Sequence, residues 1–321
     1  MVARMAGYDV RFADVARDAL MPEADAWTRL MTGDPGIIVA THLFGHALPR
    51  EIFEAARARG WIVIEEVRLA EGAAREFGDA AYFSLDAPEE PGALGGGAIA
   101  LDDAAWAARL RDRMRSVKRA SNGRAALAFA RQLWRTCLTI PVFYWWSMYP
   151  VRRITATAPV DPWSMSAGRA ERYYALVPRL YFERAPNDAM ARVGLSRLRG
   201  AAMRALRRRV NAAHLRELLA EDGVGVPLPA SDGAAPMFVP IVVDDPRAVA
   251  AGLIARGVDA WPEPLACVPD LPRFQNGGNA ENARALALRL LALPTHHALG
   301  PVEMGHIARA LRAVLRETKN Q

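Results

Sequence analysis

Acidic side chains cluster at the end of one of the most apolar short runs in the chain, the segment WIVIE at Trp61–Glu65. Glu65, Glu66 and Glu71 lie at or just after the end of this predicted strand, where α/β folds place their ligands. Two carboxylates in such a position are able to act as general acid and general base. A carboxylate pair alone does not specify a reaction, so the surrounding residues must decide between the possibilities.

Amines are scarce in this protein. Of the 41 basic residues among 321, only Lys118 and Lys319 are lysines, so chemistry that requires a primary amine has two candidates. The formal net charge of +6 would permit binding to nucleic acid, but an arginine-rich and alanine-rich composition explains the same balance, and we predict no nucleic-acid partner. The two cysteines, Cys137 and Cys267, are too few for a disulfide scaffold, which favours a cytoplasmic protein.

Three other polar or glycine-rich patterns favour structural roles. The glycine run Gly95–Gly97 lacks the spacing of a phosphate-binding loop and indicates a close approach to a strand. The pair His296–His297 has no patterned third ligand, so we expect a surface or interface pair and predict no metal site. A solvated helix face is the expected role of a basic cluster, Arg204, Arg207, Arg208 and Arg209.

The elements that must position these residues alternate between strands and helices in the first third of the chain. Strands are predicted at Tyr8–Ala13, Ile37–Thr41, Trp61–Glu65, Ala80–Ser84 and Ala98–Leu101. Helices are predicted at Ala24–Met31, Leu48–Arg59 and Ala104–Val117. The alternation favours a mostly parallel sheet with crossover helices.

The remainder of the chain divides into an irregular insertion and a second α+β unit. The longest helical pattern is Asn187–Leu219, with Gly200 as its weak point. The last unit is predicted to contain a strand at Met237–Val243 and helices at Arg247–Arg256, Asn282–Leu291 and Val302–Thr318. We therefore predict an α/β portion at 1–117, an aromatic and basic insertion at 118–184, and a long helix with a small α+β domain at 185–321.

The insertion contains the only long apolar stretch, Leu133–Val151. It has about the length of a membrane span, but Arg135, Pro141 and Pro150 make it a poor spanning helix. Its Trp and Tyr residues with basic flanks suit a membrane interface. The alternative, which we favour at this stage, is burial against the protein's own sheet or against a partner subunit.

Several segments together resemble the sugar aminotransferases of the DegT/StrS type, which belong to fold type I of the pyridoxal phosphate (PLP) enzymes. The segments follow the family's order and spacing: Thr41–Glu66, Tyr82–Leu85, Gly95–Leu101, the helix from Asn187, and the C-terminal LALPTHHALG. The resemblance covers most of the chain outside 118–184. It implies the α/β large domain of these enzymes with a small C-terminal α+β domain, a dimer, and transfer of an amino group to a nucleotide-linked keto sugar by PLP.

The residues that would hold the cofactor depart from the family's motifs. By its spacing from Ser84 and Gly97, Glu89 occupies the position that the resemblance gives to the Schiff-base lysine, and a carboxylate cannot form an imine. Glu66 stands where the family's Asp meets the pyridine nitrogen, while Ser84 and His42 remain as cofactor-binding remnants. Gly7–Asp14 resembles a strand that follows the phosphate-binding turn in the family, so we expect a chain shortened at its N-terminus.

These departures lead us to expect a degenerate homologue in amino-sugar or surface-polysaccharide biosynthesis, with no confident catalytic residue and no cofactor unless the family activity, and with it PLP, is retained. It would form a homodimer, or a heterodimer with an intact homologue. One alternative is an active sugar aminotransferase completed by another chain, and another is a different carboxylate-based enzyme that uses the same cleft. A third is a membrane-associated binding or scaffold protein, attached at the inner membrane face through Leu133–Val151.

Overall fold

The computed structural model describes residues 2–67, 77–85, 94–156, 184–230, 233–271, 274 and 278–319. Glu71 and Glu89 lie outside the described residues, so the predictions made for them stay predictions.

The first sheet brings the predicted site residues to one edge. Its strands are β1 (Ile37–Thr41), β2 (Ile62–Glu66), β3 (Ala80–Ser84) and β4 (Gly97–Leu101), in the order β1-β2-β3-β4. The first three are parallel and β4 is antiparallel to β3. Thr41 is opposite Glu66, and Glu66 is opposite Tyr82. The carboxyl ends of the parallel strands therefore meet at a single edge, as predicted for a mostly parallel sheet.

The two faces of this sheet differ in how well they are covered. On one face, Ile38 and Val63 pack against Ile52 and Phe53 of the helix α3 (Arg50–Ala58), whose apolar residues recur at helical spacing. The other face, called here the open sheet face, carries aliphatic side chains that stay in contact with solvent. Its members are Ile37 at 40%, Val39 at 44%, Ile62 at 40% and Ile99 at 55% exposed.

The helices agree largely with the sequence pattern. In chain order they are α1 Val2–Met5, α2 Ala24–Thr28, α3, α4 Ala104–Arg115, α5 Asn122–Thr139, α6 Pro141–Phe143, α7 Tyr149–Ala156, α8 Asp188–Leu198, α9 Ala201–Glu221, α10 Pro246–Ala255, α11 Glu281–Ala287 and α12 Pro301–Lys319. Two 3-10 turns occur at Leu43–Gly45 and Val268–Asp270. The long pattern predicted from Asn187 is divided at Gly200, the residue identified as its weak point.

The C-terminal unit is built on a small antiparallel sheet. Its strands are β5 (Phe238–Val242), β6 (Trp261–Pro262) and β7 (Leu290–Pro294), in the order β5-β7-β6. Helices α9, α10 and α12 cover it with a shared core, which includes Leu215, Ile241, Leu253, Leu293, Met304 and Leu311. Because β7 is central, four of its five residues are buried.

Two predicted elements are wrong. Tyr8–Ala13 forms no strand: Phe12 packs edge-on against Phe274, and the carboxylate of Asp14 accepts hydrogen bonds from the backbone of Asn282 and Ala283 at the start of α11. The helix predicted at Asn282–Leu291 ends at Ala287, because the apolar run LLALP becomes the central strand β7. A short apolar run is ambiguous between a helix and a buried strand.

The aromatic insertion is more regular, and more exposed, than the sequence indicates. It contains α5, α6, a π-helical turn at Tyr144–Met148 and α7, and a backbone bridge joins Arg119 to Ala185 at its two ends. The expected burial against the protein's own sheet is wrong, because Trp134 is 65% and Trp146 is 80% exposed. Among the helices described, none is both long and apolar enough to cross a bilayer.

Candidate functional site

The turn that follows β1 positions the first polar groups of the site. The hydroxyl of Thr41 donates to Oε2 of Glu66 at 2.9 Å, and the backbone N–H of His42 donates to the carbonyl of Glu66 at 3.1 Å. The chain then reverses through Phe44 and Gly45, which have positive φ angles of 51° and 78°. Glycine adopts this conformation readily, whereas Phe44 is held there by its surroundings. Glu66 is thereby fixed at the carboxyl edge of the sheet.

Glu65 points to the opposite face from Glu66, because successive side chains of a strand alternate. Its carboxylate is completely buried; Oε1 accepts hydrogen bonds from the backbone of Phe77, at 2.9 Å, and of Gly78, and Oε2 lies 3.0 Å from Nε2 of His42. The His42 side chain is buried as well. The structure therefore separates the predicted carboxylate pair: Glu65 holds His42 in the interior, and only Glu66 faces the open side.

Ser84 ends β3 opposite Gly97 and next to the glycine run. The backbone N–H of Leu85 donates to the carbonyl of Gly96 at 3.0 Å, and a Cβ atom on Gly97 would lie 2.8 Å from the carbonyl oxygen of Phe83. Gly95 and Gly96 have φ angles of 105° and 100°. These facts confirm that the glycine run provides a tight turn and a close approach between strands.

Lys118, one of the two lysines, is tied to this glycine turn through the far end of the insertion. Its carbonyl accepts a hydrogen bond from the N–H of Ala185 at 3.0 Å, and its side chain is exposed. The next residue, Pro186, lies so near Gly96 that a Cβ there would be 3.0 Å from the proline Cγ. Lys319 ends α12 in the C-terminal unit. The segment that carries Lys118 is thus adjacent to the turn beside Ser84.

A second histidine of the same turn, His46, is buried without charge. It is 4% exposed, and burial followed by the nearby positive charge of Arg216 lowers the pKa of His46 from 6.5 to about 4. The guanidinium of Arg216 donates to the carbonyl of Leu228 at 2.7 Å, and burial lowers the pKa of Arg216 as well. His46 is therefore neutral at physiological pH.

Buried polar residues of α9 were missed by the sequence analysis. The amide of Asn211 donates to the carbonyls of Thr295, His296 and Leu299 at 3.4, 3.1 and 3.0 Å, which fixes the loop that contains His296–His297. Arg208 is completely buried and donates to the carbonyl of Ala235 at 2.9 Å. The predicted solvated face is therefore wrong for Arg208. Arg208 is separated by three residues along the helix from Asn211, and intervals of four residues lead on to Leu215 and Leu219. This helical spacing could have indicated that Arg208 lies on the buried face.

Metal-ligating side chains do not cluster in the part of the chain that the structure describes: no group of three or more His, Cys, Asp or Glu residues is arranged to hold an ion there. Both members of the pair His296–His297 are partly buried, and their rings meet edge to face with centroids 6.3 Å apart.

Comparison with known proteins gives a clear result only at the level of structure. No protein-family model matches the sequence, and no curated protein matches it either. A sugar aminotransferase from Micromonospora echinospora, CalS13, is similar with a TM-score of 0.67 at 20% identity, over 97% of this chain and 76% of that one. The DegT DnrJ EryC1 StrS aminotransferase from Brucella abortus gives 0.66 at 20% identity, over 97% and 75%. Helicobacter pylori PseC, an aminotransferase involved in the biosynthesis of pseudoaminic acid, gives 0.68 at 15% identity, over 98% and 76%.

The chain has the fold of the DegT/StrS-type sugar aminotransferases. The predicted fold class, the type-I large domain with a small α+β domain, is thereby confirmed. Glu66, for which the sequence predicts a contact with the pyridine nitrogen, is the last residue of β2, and that role stays a prediction.

The described residues do not fit a covalently held PLP. Glu66 accepts a hydrogen bond from the hydroxyl of Thr41, and His42 is enclosed with Glu65, so both side chains already have a partner within the protein. The third cofactor-binding remnant, Ser84, carries a hydroxyl group, which forms no imine. A Schiff base here would require Lys118 or Lys319, or an amine from another chain.

Proposed function

We propose that this protein is a degenerate relative of the sugar aminotransferases, which keeps their fold without transaminase chemistry and works as the partner of an intact homologue in amino-sugar or surface-polysaccharide biosynthesis. The observation that carries the proposal is Glu89, a carboxylate at the position where the family has its Schiff-base lysine. PLP supplies the electron sink in these enzymes, and the protein must supply an amine to hold it.

The geometry of the sheet edge supports a loss of catalysis. Glu65, the neighbour of Glu66 in the sequence motif, stabilises the turn by accepting two backbone hydrogen bonds and pairing with His42. A buried carboxylate with all its partners inside the protein cannot relay a proton to a ligand on the opposite face. Of the two carboxylates, Glu66 is the one on the open side of the sheet.

The open sheet face supports the association with a partner. Parallel sheets are almost always covered on both faces, since crossover connections place helices there. Here the row of Ile37, Val39, Ile62 and Ile99 keeps 40–55% of its surface in solvent. Burial of aliphatic area contributes roughly 25 cal/mol per Å², so a second chain that covers this row gains binding energy from it. An intact homologue that supplies helices to this face is the occupant we propose.

One observation favours a second candidate function. The backbone of Lys118 is hydrogen-bonded to Ala185, and the next residue, Pro186, adjoins the glycine turn next to Ser84, so the segment that carries one of the two lysines lies near the sheet edge. In this second reading the protein is an active sugar aminotransferase whose remaining elements come from another chain.

Absorption spectroscopy with added PLP distinguishes the two candidates. The first candidate predicts no absorption band of an internal aldimine at the edge of the visible range. It also predicts that peptide mass analysis after borohydride reduction finds no lysine that carries PLP. A band present in the wild type and in Lys319→Ala, but absent in Lys118→Ala, would establish the second candidate and overturn the first. Lys118 is exposed, so its removal leaves the fold intact and the comparison is clean.

The partner is tested by sedimentation of the protein mixed with an intact sugar aminotransferase from the same source. Val39→Glu with Ile62→Glu places charge on the open sheet face and should abolish the mixed complex. Leu195→Glu is the matched control, because Leu195 is an equally apolar, 63% exposed residue on α8. Loss of the complex with Leu195→Glu, or its persistence with the double variant, would contradict the assignment of this face.

A further inference from the structure

An apolar surface on the insertion faces solvent, and it is separate from the open sheet face. Leu127, Leu133 and Trp134 of α5 are 51%, 53% and 65% exposed, and the small residues Ala126 and Ala130 continue the same helical stripe. Further exposed aromatic side chains lie in and next to the π-helical turn. Together with the stripe on α5 they are called here the aromatic surface, whose members are Leu127, Leu133, Trp134, Phe143, Trp145 and Trp146.

The opposite side of this segment is anchored to the C-terminal unit. The phenol of Tyr144 donates to Asp259 at 3.0 Å, that of Tyr149 donates to the carbonyl of Ile254 at 3.2 Å, and Arg152 pairs with Asp259 at 2.5 Å. Burial and the carboxylate of Asp259 raise the pKa of Tyr144 to about 12, so the phenol keeps its proton. These contacts fix the segment with Phe143, Trp145 and Trp146 outward, at 59%, 59% and 80% exposure.

Among the described residues of the insertion, the charged side chains are all basic. Residues 113–160 contain nine arginines and lysines and not a single Asp or Glu. Among the described residues, three carboxylates from outside this range pair with arginines within it: Asp112 with Arg115, Asp188 with Arg119, and Asp259 with Arg152. Arg131 and Arg135, one turn apart on α5, and Arg153 on α7 are exposed. The surface is thus apolar and aromatic in its centre and cationic at its border.

We propose that the aromatic surface binds an anionic lipid bilayer, lying in the interface with the tryptophans at headgroup depth. Tryptophan is enriched at that depth, and an apolar helical stripe bordered by arginine is the signature of helices that lie in the membrane plane. A second copy of the chain fits less well, because a symmetric contact through this patch would bring two cationic borders together. The charge pattern selects a negatively charged partner, and the exposed apolar and aromatic side chains select one with an acyl interior.

Vesicle flotation of the full-length protein tests the proposal. We expect flotation with phosphatidylcholine vesicles that contain phosphatidylglycerol, weaker flotation with phosphatidylcholine alone, and a loss of binding as salt is added. Each arginine near an anionic surface contributes about fivefold in partitioning, so Arg131→Gln with Arg135→Gln should weaken it by about 25-fold. Trp134→Ser with Trp146→Ser should weaken it at least tenfold, given the apolar area removed.

A matched double variant controls for general loss of apolar surface. Leu195→Ser with Val302→Ser changes two residues that are 63% and 77% exposed but lie on α8 and α12, and it should float like the wild type. Equal binding to neutral and anionic vesicles, unchanged flotation of the tryptophan variant, or no flotation at all would overturn the proposal. So would sedimentation that shows a dimer which the tryptophan variant abolishes, since the surface would then belong to a second copy.

Discussion

Acidification from pH 7 to pH 4 should destabilise this protein through one side chain, His46. In the folded state its pKa lies at about 4, against 6.5 for the exposed imidazole, chiefly because the ring is buried and secondarily because Arg216 is close. Between pH 4 and pH 6.5, His46 is therefore mostly protonated in the unfolded chain and mostly neutral in the folded protein. Stability from this group is therefore complete above pH 6.5 and falls as the pH decreases toward 4.

The size of the effect follows from the shift. One pKa unit corresponds to 1.36 kcal/mol, so a difference of this size contributes about 3 kcal/mol to the free energy of unfolding at pH 7. That is a large share of the roughly 5–15 kcal/mol that stabilises a typical domain. Because burial is the larger cause, Arg216→Gln should remove only the smaller part of the pH dependence.

The assay is urea unfolding, followed by circular dichroism, at several pH values for the wild type and for His46→Leu. Carboxyl groups also titrate below pH 5 in both proteins, so the informative quantity is the difference between their free energies of unfolding. This difference should change by about 3 kcal/mol from pH 7 to pH 4 in favour of the leucine variant. A difference that is flat with pH, or an imidazole that titrates near 6.5 by NMR in the folded protein, would refute the reasoning.

Three further substitutions test the contacts of the site and its supports. Glu65→Ala leaves the backbone N–H groups of Phe77 and Gly78 without their buried acceptor and removes the carboxylate beside His42, so urea unfolding should show a loss of about 3 kcal/mol, with Glu65→Gln less affected. Gly97→Ala forces a Cβ to 2.8 Å from the carbonyl of Phe83 and should destabilise by about 1–3 kcal/mol in thermal melts, whereas the control Gly123→Ala, in open space within α5, should be neutral or stabilising. Asn211→Leu removes the donor to three carbonyls of the loop 295–299, and faster hydrogen exchange confined to that loop is expected; unchanged exchange would contradict the role given to Asn211.

Much of the fold was predictable because local patterns and tertiary structure agree. The strands Ile37–Thr41 and Ala80–Ser84 were predicted with the bounds that the structure has, since both are short β-rich runs bounded by glycine, proline or a polar loop. The division of the long helix at Gly200 followed from the low helical propensity of glycine. The strand predicted at Tyr8–Ala13 was wrong because the contacts of this segment are distant in sequence. No local pattern shows that Asp14 caps the helix at Glu281–Ala287.

The candidate site was less predictable, because register decides which side chains meet. Glu65 and Glu66 are adjacent in sequence and chemically alike, yet strand alternation sends one to α3 and the other to the open side. The same alternation places His42 beside Glu65 instead of beside Ser84. Neighbouring residues of a motif that resembles a cofactor site can thus point to opposite faces of the sheet. One part of the motif is then structural and the other part is exposed. In this protein the structural part consists of Glu65 with His42 and the backbone of Phe77 and Gly78, whereas the exposed part, Glu66 and Ser84, contains no amine with which to form a Schiff base.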